Sequence, residues 1–591
     1  MRSTRRQISA TGRLVGVLTA LALLGLAACR EPLEPPIGAA HPGETTPRRG
    51  GKLRLASIGD LRGALDPATS AEALGRGAIE IMFAGLVDYD EAAHVVPDLA
   101  SRWELSDDGL SYRFFLREGA RFHDGEEVTA DDVRRSIERA LHPSTPNPWA
   151  SLYDMIAGYD EYTQKGAAHL AGVVVEGRYV VSIHLHDKDA RFLPVLALPT
   201  LRPVCKSAGE RYSDSWAPCG AGPFRLEAGG WDHGRSLTLV RHEGYFRPGL
   251  PYLDAVQWTY GMNMMTERFK LEAGDLDIVR DISQADVVRF QTDQRWNPLS
   301  VFEPVRSIYG ESMNTEMPPF DNVEVRRAVA AAINREHYRE VRPSAVTISN
   351  QAIPPAVPGY DPTFRGQEYD YPAALEHMRK AGYPYDPATG RGGYPGEITY
   401  YAYRPGLQEY TAQLLQQDLA KIGLQLTIKL VSFPTFVALA YRRKTTQISN
   451  PGWTEDYPDP SDFFDPLFDS SAINEEQSQN SAFYRNPRLD EILARARHEL
   501  DETRRFALYG EANRIVCDDA PWAFTHNYRF YIVHQGYVRD YRAHPVWPEN
   551  VGKTWLDRAA DAVSSTSPGA AASWASLTGA LSRPSGRRAS H

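Results

Sequence analysis

Residues 398 to 430 set the strongest constraint on what this chain can fold into. "ITYYAY" at 398–403 reads as a strand, "EYTAQLLQQDLAKI" as a helix closed by Gly423, and "LQLTIKLV" as a second strand. Leu415, Leu419 and Ile422 line one face of the helix, while Leu424, Leu426, Ile428 and Leu430 alternate onto one face of the strand. Two periods side by side, 3.6 and 2, require helices packed on a sheet, so this part of the chain is an α/β lobe.

The same alternation opens the body of the protein, where Leu53 and Leu55 mark a strand entering a loop. "SYRFFLREGARFHDGEEVTADDVRRSIERALH" then gives a strand, a turn and a helix. Thr129 and Asp132 stand at capping-box spacing, and Val133, Ile137, Ala140 and Leu141 share one face. A further strand, "VVSIHLH", covers 180–186. A chain of 591 residues exceeds a single hydrophobic core, and 42% hydrophobic with 24% charged residues is an ordinary globular balance, so two or three domains are expected.

Both ends read differently from the body. Arg2, Arg5, Arg6 and Arg13, with no acid among them, precede the apolar run "LVGVLTALALLGL" and then "LAAC". The run is shorter than the roughly 20 residues that a membrane-spanning helix needs, so residues 1–28 read as an export signal. "LAAC" resembles the lipobox of bacterial lipoproteins, which implies cleavage before Cys29 and a lipid on its sulfur; the alternative is a plain signal peptide with an incidental cysteine. Residues 29–50, rich in proline, read as a tether that reaches at most roughly 65 Å when extended. Residues 559–591 are rich in Ser, Pro and small residues and read as a disordered tail.

Removing the leader's four arginines takes the net charge from −10 to about −14, which argues against a nucleic-acid partner. Of the remaining cysteines, Cys205 and Cys219 bracket a short loop. In an exported protein they are a possible disulfide, worth roughly 3 kcal/mol, against the alternative of two buried thiols. Cys517 reads as a small core residue.

"GWTEDYPDPSDFF", residues 452–464, sets Glu455, Asp456, Asp459 and Asp462 among Trp453, Tyr457, Phe463 and Phe464 without one basic residue. A surface loop does not need so many aromatics, and a core segment does not carry so many unpaired carboxylates. The explanation has to come from another part of the chain or from a ligand.

Five stretches supply a context: "LSDDGLSYRFFLREGARFHDGEEVTADDVRRSIERAL", "GAGPFRLEAGGWDHGRSLTLVRHEGYFR", "LEAGDLDI", "PPFDNVEVRRAVAAAINREH" and "NPRLDEILARARHELDETRRFALYGEANRIVCDDAPW". In order and spacing they resemble the family 5 extracellular solute-binding proteins, the oligopeptide, dipeptide and nickel-binding group that feeds ABC importers. The resemblance spans about residues 51–556. It implies a periplasmic-binding-protein-like two-lobe fold with an additional third domain, which closes on its ligand by hinge bending. Domain I would take 51–95, 205–311 and 526–558, domain II 96–204, and domain III 312–525. It further implies a monomer without cofactor or catalytic residues, on the periplasmic or cell-surface side of a membrane, that hands solute to a permease and ATPase complex.

In peptide-binding members an aspartate three residues after a tryptophan takes the ligand's α-ammonium group, which carries over to Asp456 after Trp453. Tyr457 adds an aromatic wall. Glu455, Asp459 and Asp462 are expected to be solvated, helix-capping or bonded to their own loop. Trp149 falls where peptide binders place a cleft tyrosine, and Asn450 where some place an arginine for the ligand carboxylate. Arg404, after the strand at 398–403, is a candidate replacement for that arginine. Ala71 and Ala73 stand where a larger pair can occur.

Three other readings compete. "HLHDKD" at 184–189 suggests a zinc hydrolase, since His184 and His186 share a strand face near Asp187 and Asp189. Against it, the chain has no HExxH and no GxSxG. The same fold also serves as a solute sensor, or binds nickel; nickel is the weaker alternative, because His123 in "RFHDGE" belongs to the fold signature of the resemblance and His337 and His377 sit in helical patterns.

Overall fold

The computed structural model describes residues 46–557, apart from 60, 62, 64, 70–72, 214, 305, 342, 405–407, 543, 545 and 547–550. Cys29, the leader, nearly all of the tether and the tail lie outside the described residues, as does Ala71. Among the described residues no helix is long and apolar enough to cross a membrane.

A large mixed sheet forms the frame. From edge to edge it runs Leu426–Ser432, Ile398–Arg404, Ile448–Ser449, Ser307–Met313, Trp522–His534, Ile278–Val279, Lys52–Ser57, Ala255–Tyr260, Ser236–Arg241 and Phe224–Asp232. Lys52–Ser57 pairs in parallel with Ala255–Tyr260, and Ile398–Arg404 in parallel with Leu426–Ser432. The strand Trp522–His534 belongs to both halves. Its start pairs with Ser307–Met313 and its end with Ile278–Val279, both antiparallel. The domain limit expected at 525/526 falls inside this strand, because the two halves share it as one continuous ladder.

A smaller antiparallel sheet, in the order Ala100–Leu105, Ser111–Leu116, Val180–His184 and Val173–Gly177, occupies the second expected domain. The helix Ala130–Leu141 covers it, burying Val133, Ile137, Ala140 and Leu141 as the spacing requires. Its start is fixed by the Thr129 backbone N–H, which donates to Asp132 Oδ2 at 3.1 Å.

Separate apolar cores follow this division. One lies under the small sheet and includes Phe114, Val133, Ile183 and Phe192. A second gathers Leu53, Leu55, Phe224, Leu239 and Val256, and a third Leu415, Leu419, Ile422, Tyr400 and Val329. The strand Leu426–Ser432 departs from its expected pattern at one position. It is the sheet edge, and Leu430 is exposed there, although Leu424 and Leu426 are buried.

Candidate functional site

The acidic aromatic loop leaves the large sheet at a close backbone approach. Trp453–Thr454 pairs antiparallel with Ser307 and Ile308. Just before it Gly452 has φ +65°, and a Cβ there would come within 2.2 Å of the Tyr309 ring, so only glycine fits. Asp462 then folds the loop onto the start of the helix Ser461–Phe468: its Oδ2 accepts from the Asp456 backbone N–H and from Trp453 Nε1, both at 3.0 Å.

The partners of the loop's carboxylates come from elsewhere in the chain. Asp459 Oδ2 lies 2.6 Å from Arg505 Nη1, and its Oδ1 accepts from the Ser461 backbone at 3.0 Å and hydroxyl at 2.7 Å. Glu455 lies 3.5 Å from Arg306, and burial pushes its carboxyl up to about 8 despite that guanidinium. Asp462 is also raised, first by burial and then by the charge of Asp456. Glu455, Asp459 and Asp462 are therefore buried and not solvated; Asp459 bonds to the helix start and Asp462 to its own loop, the other two alternatives the sequence left open. They hold the loop in shape through distant arginines and the loop's own donors.

Asp456 alone among the four keeps partial exposure, at 18% of its side chain, and its carboxylate stands 3.7 Å from Arg76 Nη2. Arg76 is carried by the helix Ala73–Met82, and its guanidinium carbon lies 5.5 Å from the Trp149 ring centroid. These three side chains, with Pro67, Ile79 and the turn at Leu198, Pro199 and Thr200, line a small recess with about 20 Å³ of free space, room for about one water. Burial raises the Asp456 carboxyl to about 6, an effect that Arg76 opposes.

The walls are held from behind. Asp66, next to Pro67, forms a buried pair with Arg139 at 2.6 Å and accepts from the Ala68 N–H at 3.0 Å. Asn147 receives the Trp149 backbone N–H at 2.9 Å while donating to Ala140 O at 2.9 Å, which ties the tryptophan to the end of the helix Ala130–Leu141. Arg202 donates to Phe83 O at 2.6 Å and Glu80 O at 2.9 Å, fixing the turn at 199–201 against the end of the helix that carries Arg76.

Of the residues singled out from sequence, Asp456 and Trp149 meet in this recess. Trp453 is half-buried and packs beside Phe463 and Phe464. Tyr457 is buried in the core under the small sheet, with its hydroxyl 3.1 Å from Ser461 Oγ. Asn450 is buried away from the recess, where its amide donates to Gly310 O at 3.0 Å and Glu311 Oε1 at 2.9 Å. The side chain of Arg404 lies outside what is described, and Ala73 begins the helix that presents Arg76. Arg76 itself was not singled out, although it is the single basic residue in "ALGRGAIEIMFAGL".

The histidines considered as metal ligands each face another partner. His184 Nδ1 lies 2.7 Å from Ser111 Oγ, while Asp189 pairs with Arg191 and Asp187 with His498. His123 packs against His242, and His337 and His377 face Asp418 and Glu324. Among the described residues, the one His/Cys/Asp/Glu group close enough to hold a metal is Asp124 with Cys205 and Cys219, whose sulfurs are joined as a disulfide.

Comparison with known proteins agrees with this architecture. The family model for bacterial extracellular solute-binding proteins, family 5, matches residues 94–475. The glutathione-binding protein GsiB of Salmonella typhi is 26% identical over 475 residues, covering 79% of this chain and 87% of that protein. Among solved structures, the clavulanic acid biosynthesis oligopeptide binding protein 2 superposes with a TM-score of 0.77 at 24% identity, over 86% of this chain and 96% of its own. The DppA protein of Helicobacter pylori, in complex with the peptide STSA, gives 0.68 at 24% identity, over 86% and 99%. At these identities the structural matches speak for the fold, and the family match covers more than half of the chain. The chain belongs to the bacterial extracellular solute-binding proteins of family 5, a family of binding proteins and not of enzymes.

Proposed function

We propose that this protein captures peptides, or small peptide-like solutes such as glutathione, and delivers them to the permease of an ABC importer, with Asp456 receiving the ligand's ammonium group. One observation carries the reading. Asp456 and Trp149, far apart in sequence, line one small recess that is otherwise apolar but for Arg76 and Thr200. A carboxylate in a water-poor recess forms a strong charge-assisted hydrogen bond with an ammonium, and an indole beside it adds area and cation-π attraction. The relatives named above support the ligand class, since they bind glutathione or a peptide.

The test is a double-mutant cycle by calorimetric titration, with wild type and Asp456→Asn each titrated with a free and an α-N-acetylated peptide. Removing one member of a buried charge pair costs roughly 2 to 5 kcal/mol, or about 30-fold to several thousand-fold in affinity. Both single changes should show that loss, and the double change should add little. Independent, additive losses refute the ammonium role.

In the same reading the body is held to the membrane by a lipid on Cys29, supported by "LAAC" after a run too short to span. Cys29→Ser should move the protein from the membrane fraction to the soluble fraction. Unchanged partitioning refutes the anchor.

A further inference from the structure

Pro67 lines the recess at Asp456, and Asp66, the residue before it, lines a second and much larger cavity. That cavity has about 500 Å³ of free space, against about 20 Å³ in the recess, which places it within the usual range for ligand pockets of roughly 300 to 1,000 Å³. Two segments supply its aromatic side chains: the loop before Cys219 brings Tyr212 and Trp216, and the hairpin between the strands Phe224–Asp232 and Ser236–Arg241 brings Trp231 and His233.

Both segments are held in shape by the protein itself. The strand Phe224–Asp232 is an edge of the large sheet, and its pairing slips between Leu226 and Trp231. At this bulge Gly229 has φ +70°, and a Cβ on Gly230 would come within 2.7 Å of Thr238 O, so the bend needs glycine. Adjacent residues of a regular strand point to opposite faces; here Leu226 and Glu227 both line the cavity. The facing loop is anchored by the Cys205–Cys219 bridge and by the Trp216 backbone N–H, which donates to Ser213 O at 3.3 Å. The Phe83 ring supports Trp216, with centroids 6.1 Å apart.

The charges around the cavity exclude ions of either sign. Asp66 is neutralised by Arg139 at 2.6 Å, with side chains 3% and 1% exposed. That guanidinium lies 5.0 Å from the Trp216 ring centroid and 5.8 Å from that of Tyr212, so these rings already serve one cation, and a second would meet its repulsion. Glu227 opposes an anion: it is exposed, and among the described residues no hydrogen bond or ion pair holds it. Beside it stand the exposed hydroxyls of Ser213 and Ser215, 2.9 Å apart. What remains is a neutral ligand with an apolar face and many hydroxyls. A pyranose ring has that chemistry, since its carbon-bound hydrogens form a flat face that packs on an aromatic ring, while the hydroxyls on its edge donate to a carboxylate. We infer that this cavity is a carbohydrate site that takes a neutral pyranose, with Trp216 and Trp231 as its packing surfaces and Glu227 as the acceptor of its hydroxyls.

The experiment records the indole N–H signals of the full-length protein, labelled with ¹⁵N-tryptophan and assigned by substitution, while methyl β-D-glucopyranoside, methyl β-D-galactopyranoside, N-acetylglucosamine or choline is added at millimolar concentration. At least one of the sugars should shift the Trp216 and Trp231 signals saturably, and choline should leave them in place. Glu227→Gln, a change at an exposed position, should weaken that sugar by about tenfold or more, the loss of roughly one hydrogen bond to a charged group. Trp231→Ala should abolish the response at Trp216, and Trp231→Phe, which keeps a ring, should retain part of it. No shift at these two signals with any of the three sugars overturns the inference, as does sugar binding left within twofold by Glu227→Gln. A response to choline in place of the sugars assigns a cation site and overturns it equally.

Discussion

Replacing Asp459 tests whether the binding loop is braced from beneath. Its side chain is 3% exposed and that of its partner Arg505 5%, at a separation of 2.6 Å. Asp459→Asn keeps the shape and the acceptor for Ser461 but leaves the Arg505 guanidinium buried without its counter-ion. Removing one partner of a buried pair costs about 3 to 5 kcal/mol. The loop belongs to one compact unit of roughly 500 residues, for which an unfolding entropy of about 2.1 cal/mol/K per residue makes each kcal/mol worth about 1 °C, so a fall of about 3 to 5 °C in the melting temperature is expected. Arg505→Gln should do nearly as much, and the double variant should be far less unstable than the sum, because no lone charge is left inside. Calorimetry on the four proteins gives the coupling, and hydrogen exchange at the Asp456 amide reports the loop directly. A melting point within about 2 °C of wild type for Asp459→Asn, or strictly additive losses, refutes the brace.

The Asp456 carboxyl, raised to about 6 by burial and opposed by Arg76, must be ionised to hold an ammonium. With the buried acids Glu455 and Asp462 beside it, affinity should be flat above pH 6 and fall by up to about tenfold per unit below it, as expected for one competing proton; equal affinity at pH 5 and 7.5 contradicts this. Glu311, buried among Tyr338, Tyr400 and Asn450, is pushed up to about 7 by burial. The folded protein therefore keeps a proton that the unfolded chain releases, and stability should decline as pH rises from about 4.5 to 7, by up to about 1.4 kcal/mol per unit. Glu311→Gln should flatten that part of a melting-versus-pH profile, and an unchanged slope refutes the assignment. Reduction of the Cys205–Cys219 bridge should cost roughly 3 kcal/mol, visible as a lower melting point in dithiothreitol and in Cys205→Ser; a shift under 2 °C contradicts it.

Periodicity identified the elements because the forces behind it are local. Val133, Ile137 and Leu141 on one helix, and Leu415, Leu419 and Ile422 on another, are buried as their spacing requires. The same signal failed at Leu430, since alternation cannot tell a covered strand from the edge of a sheet. Asp456 and Trp149, named through a resemblance, line one recess, whereas the partners of the acidic loop have no signal in the sequence. Arg76, Arg306 and Arg505 reach it from distant segments, and no local pattern encodes a pairing that forms only when the chain is folded. Glu455, Asp459 and Asp462 look like surface charge in sequence because burial of an acid is set by its counter-ion, not by its neighbours in the chain.

The strand Trp522–His534 also has a consequence for the order of assembly. It lies near the end of the chain yet in the interior of the large sheet, between strands begun hundreds of residues earlier. While the chain emerges from its N-terminus, each half of the sheet presents an open edge that nothing earlier in the sequence can fill. The frame is completed only when the last segments arrive, so a nascent or translocating chain stays incompletely folded for most of its length, a useful condition for passage through an export channel. A chain cut before Trp522 would keep both edges bare, and such edges recruit strands from other molecules. Truncated products should therefore gather in aggregates, not as a soluble half-protein.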